Sequence, residues 1–197
     1  SPRRREAYGY DRPWLPFPLD SCLPPDLAVS GAAEVPEDFD ARFDCTRKEY
    51  AYYIFPSTLR DPFHARYAYR YNYPLDAERM HEGAQRFVGT HDFGSVRSQG
   101  TPVKSTVRTI FWCDVDKVDD LIRNRVCGDG FLYNMVRAIS GTLVYVGGGK
   151  LRPDAVADVL ASCDREQAGP PLPACGLFMN RLWYDHTGEL DRFRLGD

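Results

Sequence analysis

Residues 131–146 (Phe-Leu-Tyr-Asn-Met-Val-Arg-Ala-Ile-Ser-Gly-Thr-Leu-Val-Tyr-Val) form the most apolar stretch of the chain, and Arg137 is its one formal charge. The length and the stop at Gly147-Gly-Gly149 predict a helix. On a helix, Met135, Ile139, Thr142 and Val146 share one side, while Tyr133, Gly141 and Val144 flank Arg137 on another. A helix that is apolar all round belongs in a core. A guanidinium there keeps its charge, and an unpaired buried charge costs several kcal/mol on the general scale of about 3–5. Three arrangements answer this: the face lines a polar cleft, a carboxylate lies opposite, or the side chain snorkels from the helix edge. Gly141, one turn on, leaves room for a backbone or a ligand to approach closely.

A core helix needs something to cover, and the rest of the chain supplies strands. Residues 47–55 (Arg-Lys-Glu-Tyr-Ala-Tyr-Tyr-Ile-Phe) are aromatic and β-prone. Alternation puts Tyr50, Tyr52 and Ile54 on one face and Glu49, Ala51, Tyr53 and Phe55 on the other. Both faces carry aromatics, so both are expected to be covered. Further strands are predicted at 27–29, 105–115, 121–127 and 176–184, with an aromatic strand or turn-rich segment at 65–73. Pro36-Glu-Asp-Phe39 and Gly128-Asp-Gly130 read as turns. Pro74-Leu-Asp76 opens a helix with Asp76 as N-cap, Met80, Ala84 and Phe87 as its inward stripe, and Gly89 at its end. A second amphipathic helix over 153–163 turns Val156, Val159 and Leu160 inward. Strands interrupted by a few helices predict an α+β fold with a mainly antiparallel sheet.

Composition sets the remaining bounds. The 197 residues are 43% hydrophobic and 27% charged, which suits one sizeable core. No apolar run approaches the roughly 20 residues of a membrane helix, and Ser1-Pro-Arg-Arg-Arg5 has no apolar region after it, so it is not a signal peptide. The chain does not begin with Met, and a fragment or processed chain is the expectation. Residues 1–22 read as an extended arm or the remnant of a missing N-terminal part, and 23–197 as the folded body. Six cysteines show no C-x-x-C pair and no ligand-spaced His, which predicts reduced, mostly buried thiols and a cytoplasmic setting, with no metal. Net charge is −3, a weak argument against a nucleic-acid partner. Residues 42–108 nonetheless hold eleven Lys/Arg against seven Asp/Glu, enough for a basic face on an acidic chain. Tyr50 is by residue type a core tyrosine; beside an arginine in a cleft its flat ring suits a flipped-out nucleobase.

Six blocks in order then carry a resemblance. Leu23-Pro-Pro-Asp-Leu-Ala-Val29 with Val35-Pro-Glu-Asp-Phe-Asp-Ala-Arg-Phe43 resembles the L-P-x-D-I-x-V and V-P-x-D-F-H-A-R block of the tRNA pseudouridine synthase A family, with Asp40 in the usual His position. Lys48-Glu-Tyr-Ala-Tyr52 resembles its K-x-Y-x-Y strand; Pro74-Leu-Asp76 through Gly89-Thr-His-Asp-Phe93 its helix and G-x-x-D-F turn; Thr106-Val-Arg-Thr109 its T-x-R strand. Residues 131–147 resemble F-L-x-x-M-V-R-x-x-x-G-x-L-x-x-V-G, and Pro173-Ala-Cys-Gly-Leu177 the closing P-x-x-G-L. The resemblance implies a pseudouridine synthase-like C-terminal half that isomerises uridine in the anticodon arm of tRNA without a cofactor, as a cytoplasmic homodimer away from membranes. It implies that Tyr50 stacks on the target base and Arg137 pairs with the catalytic carboxylate. Arg42, Lys48, Arg97 and Arg108 are the RNA-binding candidates. The family's nucleophile lies in an R-T-D-A-G-V-H block, and no R-T-D occurs in these 197 residues. The expectation is therefore a portion without the nucleophilic aspartate, inactive alone. The alternative is a non-catalytic RNA-binding module or assembly factor with the same fold.

Overall fold

The structure, a computed structural model, describes residues 16–29, 31–32, 35–98 and 103–184. It divides into two compact units, Ser1–Thr46 with Trp183–Asp197, and Arg47–Leu182.

In the first unit, residues 16–20 depart from the extended arm that composition predicts. Pro16–Asp20 is a five-residue helical turn, α1; residues 1–15 lie outside the described residues. The strand predicted at 27–29 does not form. Val29 N–H donates to the Asp20 carboxylate at 2.7 Å instead of to a ladder, and Leu27 stays 59% exposed. Among the described residues this apolar triplet pairs with no strand. Asp40 folds its carboxylate back onto the N–H groups of Arg42 and Phe43, at 2.8 and 2.9 Å, a local turn that competes with extended structure. Tyr184 donates its hydroxyl to Ala41 O at 2.8 Å and packs its ring 5.3 Å from Phe39.

The second unit is built on a sheet of six strands among the described residues: β1 (Arg47–Pro56), β2 (Tyr69–Tyr71), β3 (Gly89–Asp92), β4 (Val107–Val118), β5 (Leu121–Gly128) and β6 (Leu177–Trp183). The order is β2-β1-β5-β4-β3, with β6 also pairing β1. The pairs β1–β5, β5–β4 and β4–β3 are antiparallel, while β2 joins β1 in parallel. The predicted α+β class with a mainly antiparallel sheet is therefore the observed one. β3 falls where the sequence reads as a turn: Gly89, at φ +113°, does not cap the helix but opens the strand, after a 3-10 turn at Gln85–Phe87.

Among the described residues, three α-helices belong to this unit: α2 (Ala77–Ala84), α3 (Met135–Gly147) and α4 (Val156–Ser162). Asp76 caps α2, accepting from the N–H groups of Glu78 and Arg79. Met80, Ala84 and Phe87 are fully buried, as their spacing predicts. The core lies between one sheet face and α3. Tyr52, Ile54, Ile110, Ile122 and Val126 from the strands meet Met135, Ile139 and Leu143 from the helix. Asn124, buried among them, has its amide paired, since a buried unpaired amide is costly: Nδ2 donates to Ser140 Oγ at 3.0 Å. β3 covers only residues 107–110 of β4. Beyond it α2 and the 3-10 turn after it take over the edge with side chains: Gln85 Nε2 donates to Cys113 O at 2.9 Å and His81 Nδ1 accepts from Val115 N–H at 3.2 Å.

Candidate active site at the start of the apolar helix

β1 begins, β5 ends and β4 begins at one end of the sheet, where Lys48 pairs with Gly128 and Gly128 with Ile110. Gly128 leads into a turn that one carboxylate closes. Asp129 Oδ1 accepts from Thr109 N–H at 3.0 Å, and Asp129 N–H donates to Thr109 O at 3.0 Å. The chain then crosses Tyr50. The Phe131 ring meets the Tyr50 ring edge-on, with centroids 5.1 Å apart at 85°. Tyr52 and Ile54, on the same face of β1, are buried, whereas Tyr50 is half-buried at the rim.

The helix starts later than its composition suggests, at Met135, because Asn134 takes a left-handed conformation at φ 58°. Arg137 sits in its first turn, half-buried. Its Nε donates to Leu172 O at 2.5 Å and its Nη1 to Asn134 Oδ1 at 2.8 Å. Leu172 N–H donates in return to Arg137 O at 3.2 Å. Residues 169–173 thus form a strap across α3. Gly141 admits that strap, since a Cβ there would stand 1.9 Å from Pro170 O. The close approach foreseen for Gly141 is a backbone, and Thr142 Oγ1 holds it by accepting from Gly169 N–H at 2.9 Å. Tyr52 anchors the other end, donating its hydroxyl to Pro173 O at 2.6 Å. Burial holds that phenol well above its usual range, with Cys175 adding to the rise and the positive charge of Arg137 opposing it. It therefore remains a neutral donor.

The Arg137 guanidinium turns inward onto a carbonyl and an amide rather than out along the helix edge. Among the described residues no carboxylate lies within 4 Å of it; the ion pairs there are Asp61–His64, Asp116–Arg123 and Arg152–Asp154. Of the other predicted residues, Lys48, Arg97 and Arg108 gather on loops and strand ends around this site. Lys48 opens β1 opposite Gly128. Arg108 Nη1 donates to Ser105 O and Val107 O at 3.0 and 2.6 Å, and its side chain lies beside Gly130. Arg97 precedes Ser98, whose N–H donates to Tyr133 O at 3.0 Å. Arg42 is exposed in the first unit, its guanidinium 5.5 Å from the Phe43 ring. Sequence reasoning missed Phe131, Asn134, Ser98 and the strap. None of them carries a distinctive spacing, and the helix predicted over 131–146 runs straight through Asn134.

Comparison with known proteins places the chain in a family. A family model described as tRNA pseudouridine synthase matches residues 84–185, just over half of the 197. The tRNA pseudouridine synthase A of Bacillus velezensis is 43% identical over 171 residues, covering 87% of this chain and 69% of the relative. That of Bacillus subtilis is 42% identical over the same shares, and that of a Thermoanaerobacter species 41% identical over 86% of this chain and 70% of the relative. The matched segment runs from the end of α2 to the end of β6 and contains both the Arg137 turn and the strap. The chain belongs to the tRNA pseudouridine synthase family.

Proposed function

We propose that this chain carries the base-stacking and cationic part of a synthase that isomerises uridine to pseudouridine in the anticodon arm of tRNA, and that the nucleophilic aspartate comes from polypeptide outside these 197 residues. The reaction breaks the bond between uracil N1 and ribose C1′, turns the base, and joins C5 to C1′. A proton leaves C5 and one arrives at N1, so atoms and electrons balance without a redox partner or cofactor. The target base has to leave its stack, and the half-buried Tyr50 ring, backed by Phe131, offers it a flat surface. A cation beside the acid keeps it ionised at neutral pH, ready to attack. Arg137 suits that task. A guanidinium has five N–H donors; the two hydrogen bonds it donates here leave the others for a carboxylate. Lys48, Arg97 and Arg108 would grip backbone phosphates around the same mouth, with Arg42 as a further contact. Homodimerisation and a cytoplasmic setting belong to the same reading.

The observation that carries it is the guanidinium, fixed by two hydrogen bonds in the first turn of an otherwise apolar helix that follows closely on Phe131, the ring packed against Tyr50. The test uses tRNA labelled with tritium at uridine C5, which is released as pseudouridine forms. The chain alone should release nothing. Adding a polypeptide that bears the R-T-D-A-G-V-H stretch should restore release, and Arg137→Ala should abolish it. Release by the chain alone would overturn the assignment. Salt-dependent tRNA binding without release in the mixture would favour a non-catalytic RNA-binding module.

A further inference from the structure

We infer that Asn134 is a positioning residue for Arg137, an inference that rests on the reading of Arg137 as the cation facing the catalytic carboxylate. Two local features single it out. A helix N-cap asparagine ordinarily has extended backbone and accepts from the N–H of the second or third helical residue. Asn134 does neither: it sits at φ 58°, ψ 13°, and its side chain makes no capping bond. The left-handed backbone is costly for a residue with a Cβ, although Asn tolerates it better than most.

The side chain is occupied elsewhere. Oδ1 accepts from Arg137 Nη1 at 2.8 Å, and Nδ2 donates to Ser98 Oγ at 3.0 Å. The amide can face only one way, because a guanidinium has no acceptor to offer. Ser98 N–H donates to Tyr133 O at 3.0 Å, so the two segments are tied twice. Ser98 follows the Gly94–Val96 turn, in which Ser95 and Val96 are fully buried, and this gives the tie a fixed base. Leu172 O holds Nε, Asn134 holds Nη1, and two such bonds set the plane of the guanidinium. Its far edge is then aimed before any carboxylate or RNA arrives, which removes reorganisation from the reaction step. Strained backbone and a forgone cap are costs that the aim of Arg137 accounts for and helix stability does not.

The test separates aim from stability. Asn134→Gly relieves the backbone and deletes both side-chain bonds. In the chain supplemented with the aspartate-bearing polypeptide, tritium release should fall about tenfold or more. The tRNA Kd should stay within twofold, and the Tm of the chain should hold or rise. Asn134→Asp keeps the acceptor but places a carboxylate against the guanidinium, so it should compete with the catalytic acid and fall further than Gly. Release within twofold of the parent in Asn134→Gly overturns the inference, as does a loss that tracks a falling Tm. NMR of the unsupplemented chain gives a second readout. The Arg137 guanidinium should rotate slowly in the parent and fast in Asn134→Gly, and unchanged rotation overturns the inference. A supplemented parent that makes no pseudouridine would sink the proposed function, while the rotation measurement would still decide the role of Asn134.

Discussion

Asp116 and Arg123 face each other across β4 and β5, with Arg123 Nη2 2.6 Å and Nε 3.1 Å from the two carboxylate oxygens. The two-pronged hydrogen bond from Arg123 holds the Asp116 carboxyl below its ordinary value of 3.8. A depressed folded-state value means that the pair stabilises the fold above the ordinary carboxylate range and stops doing so as pH falls through the folded value. The carboxylate is 39% exposed, so solvent screens the pair. Asp116→Asn should lower stability at pH 7 by about 0.5 kcal/mol, roughly 1–2 °C in Tm. The gap between variant and parent should close in thermal melts taken below pH 3.8. At this scale the sequence was informative where a residue contradicts its surroundings. Arg137 stood out because a charge in an apolar helix demands a partner. Asn134 and Ser98 did not, because a single neutral polar residue is ordinary within a predicted helix or after a turn.

Helix α3 and the strap meet backbone to backbone, and this contact holds the site's geometry. A Cβ on Gly141 would lie 1.9 Å from Pro170 O, and one on Gly169 2.2 Å from Gly141 C. Neither neighbour is the end of a flexible side chain, so the strap would have to move. Gly141→Ala should cost about 3 kcal/mol or more in urea unfolding, and the displaced Leu172 carbonyl should release Arg137 Nε. Gly→Ala within a helix ordinarily stabilises by up to about 1 kcal/mol, so the sign of the result is itself the test. Periodicity found α2, α4 and most strands, because alternation and the 3.6-residue repeat survive wherever one face is buried. It placed the start of α3 four residues early, since phenylalanine and leucine at 131 and 132 look helical while the left-handed Asn134 interrupts the path. It missed β3, four residues whose pairing with Val107–Ile110 of β4 is a tertiary fact, and it saw a strand at 27–29 that does not form.

Across the whole molecule, net charge is −3, yet Lys48, Arg97 and Arg108 lie around the end of the sheet where Tyr50 and Arg137 sit. If that end receives RNA phosphates, each basic residue contributes through counterion release. Replacing any one of them by Ala should weaken tRNA binding and reduce the slope of log K against log salt by about 0.7–0.9. A cation on the far side of the second unit, such as Lys117 at the opposite end of β4, should leave the slope unchanged. The fold class, the ordered family blocks, the capped helix α2 and the odd cation of α3 were all written in the amino-acid order. They depend on local periodicity and on residue types that are anomalous in place. What turned the guanidinium inward was decided only when Leu172, 35 residues further along, brought its carbonyl to Arg137 Nε, beside the local bond to Asn134. A hydrogen bond to a backbone carbonyl leaves no trace in residue identity, because every residue carries the same acceptor.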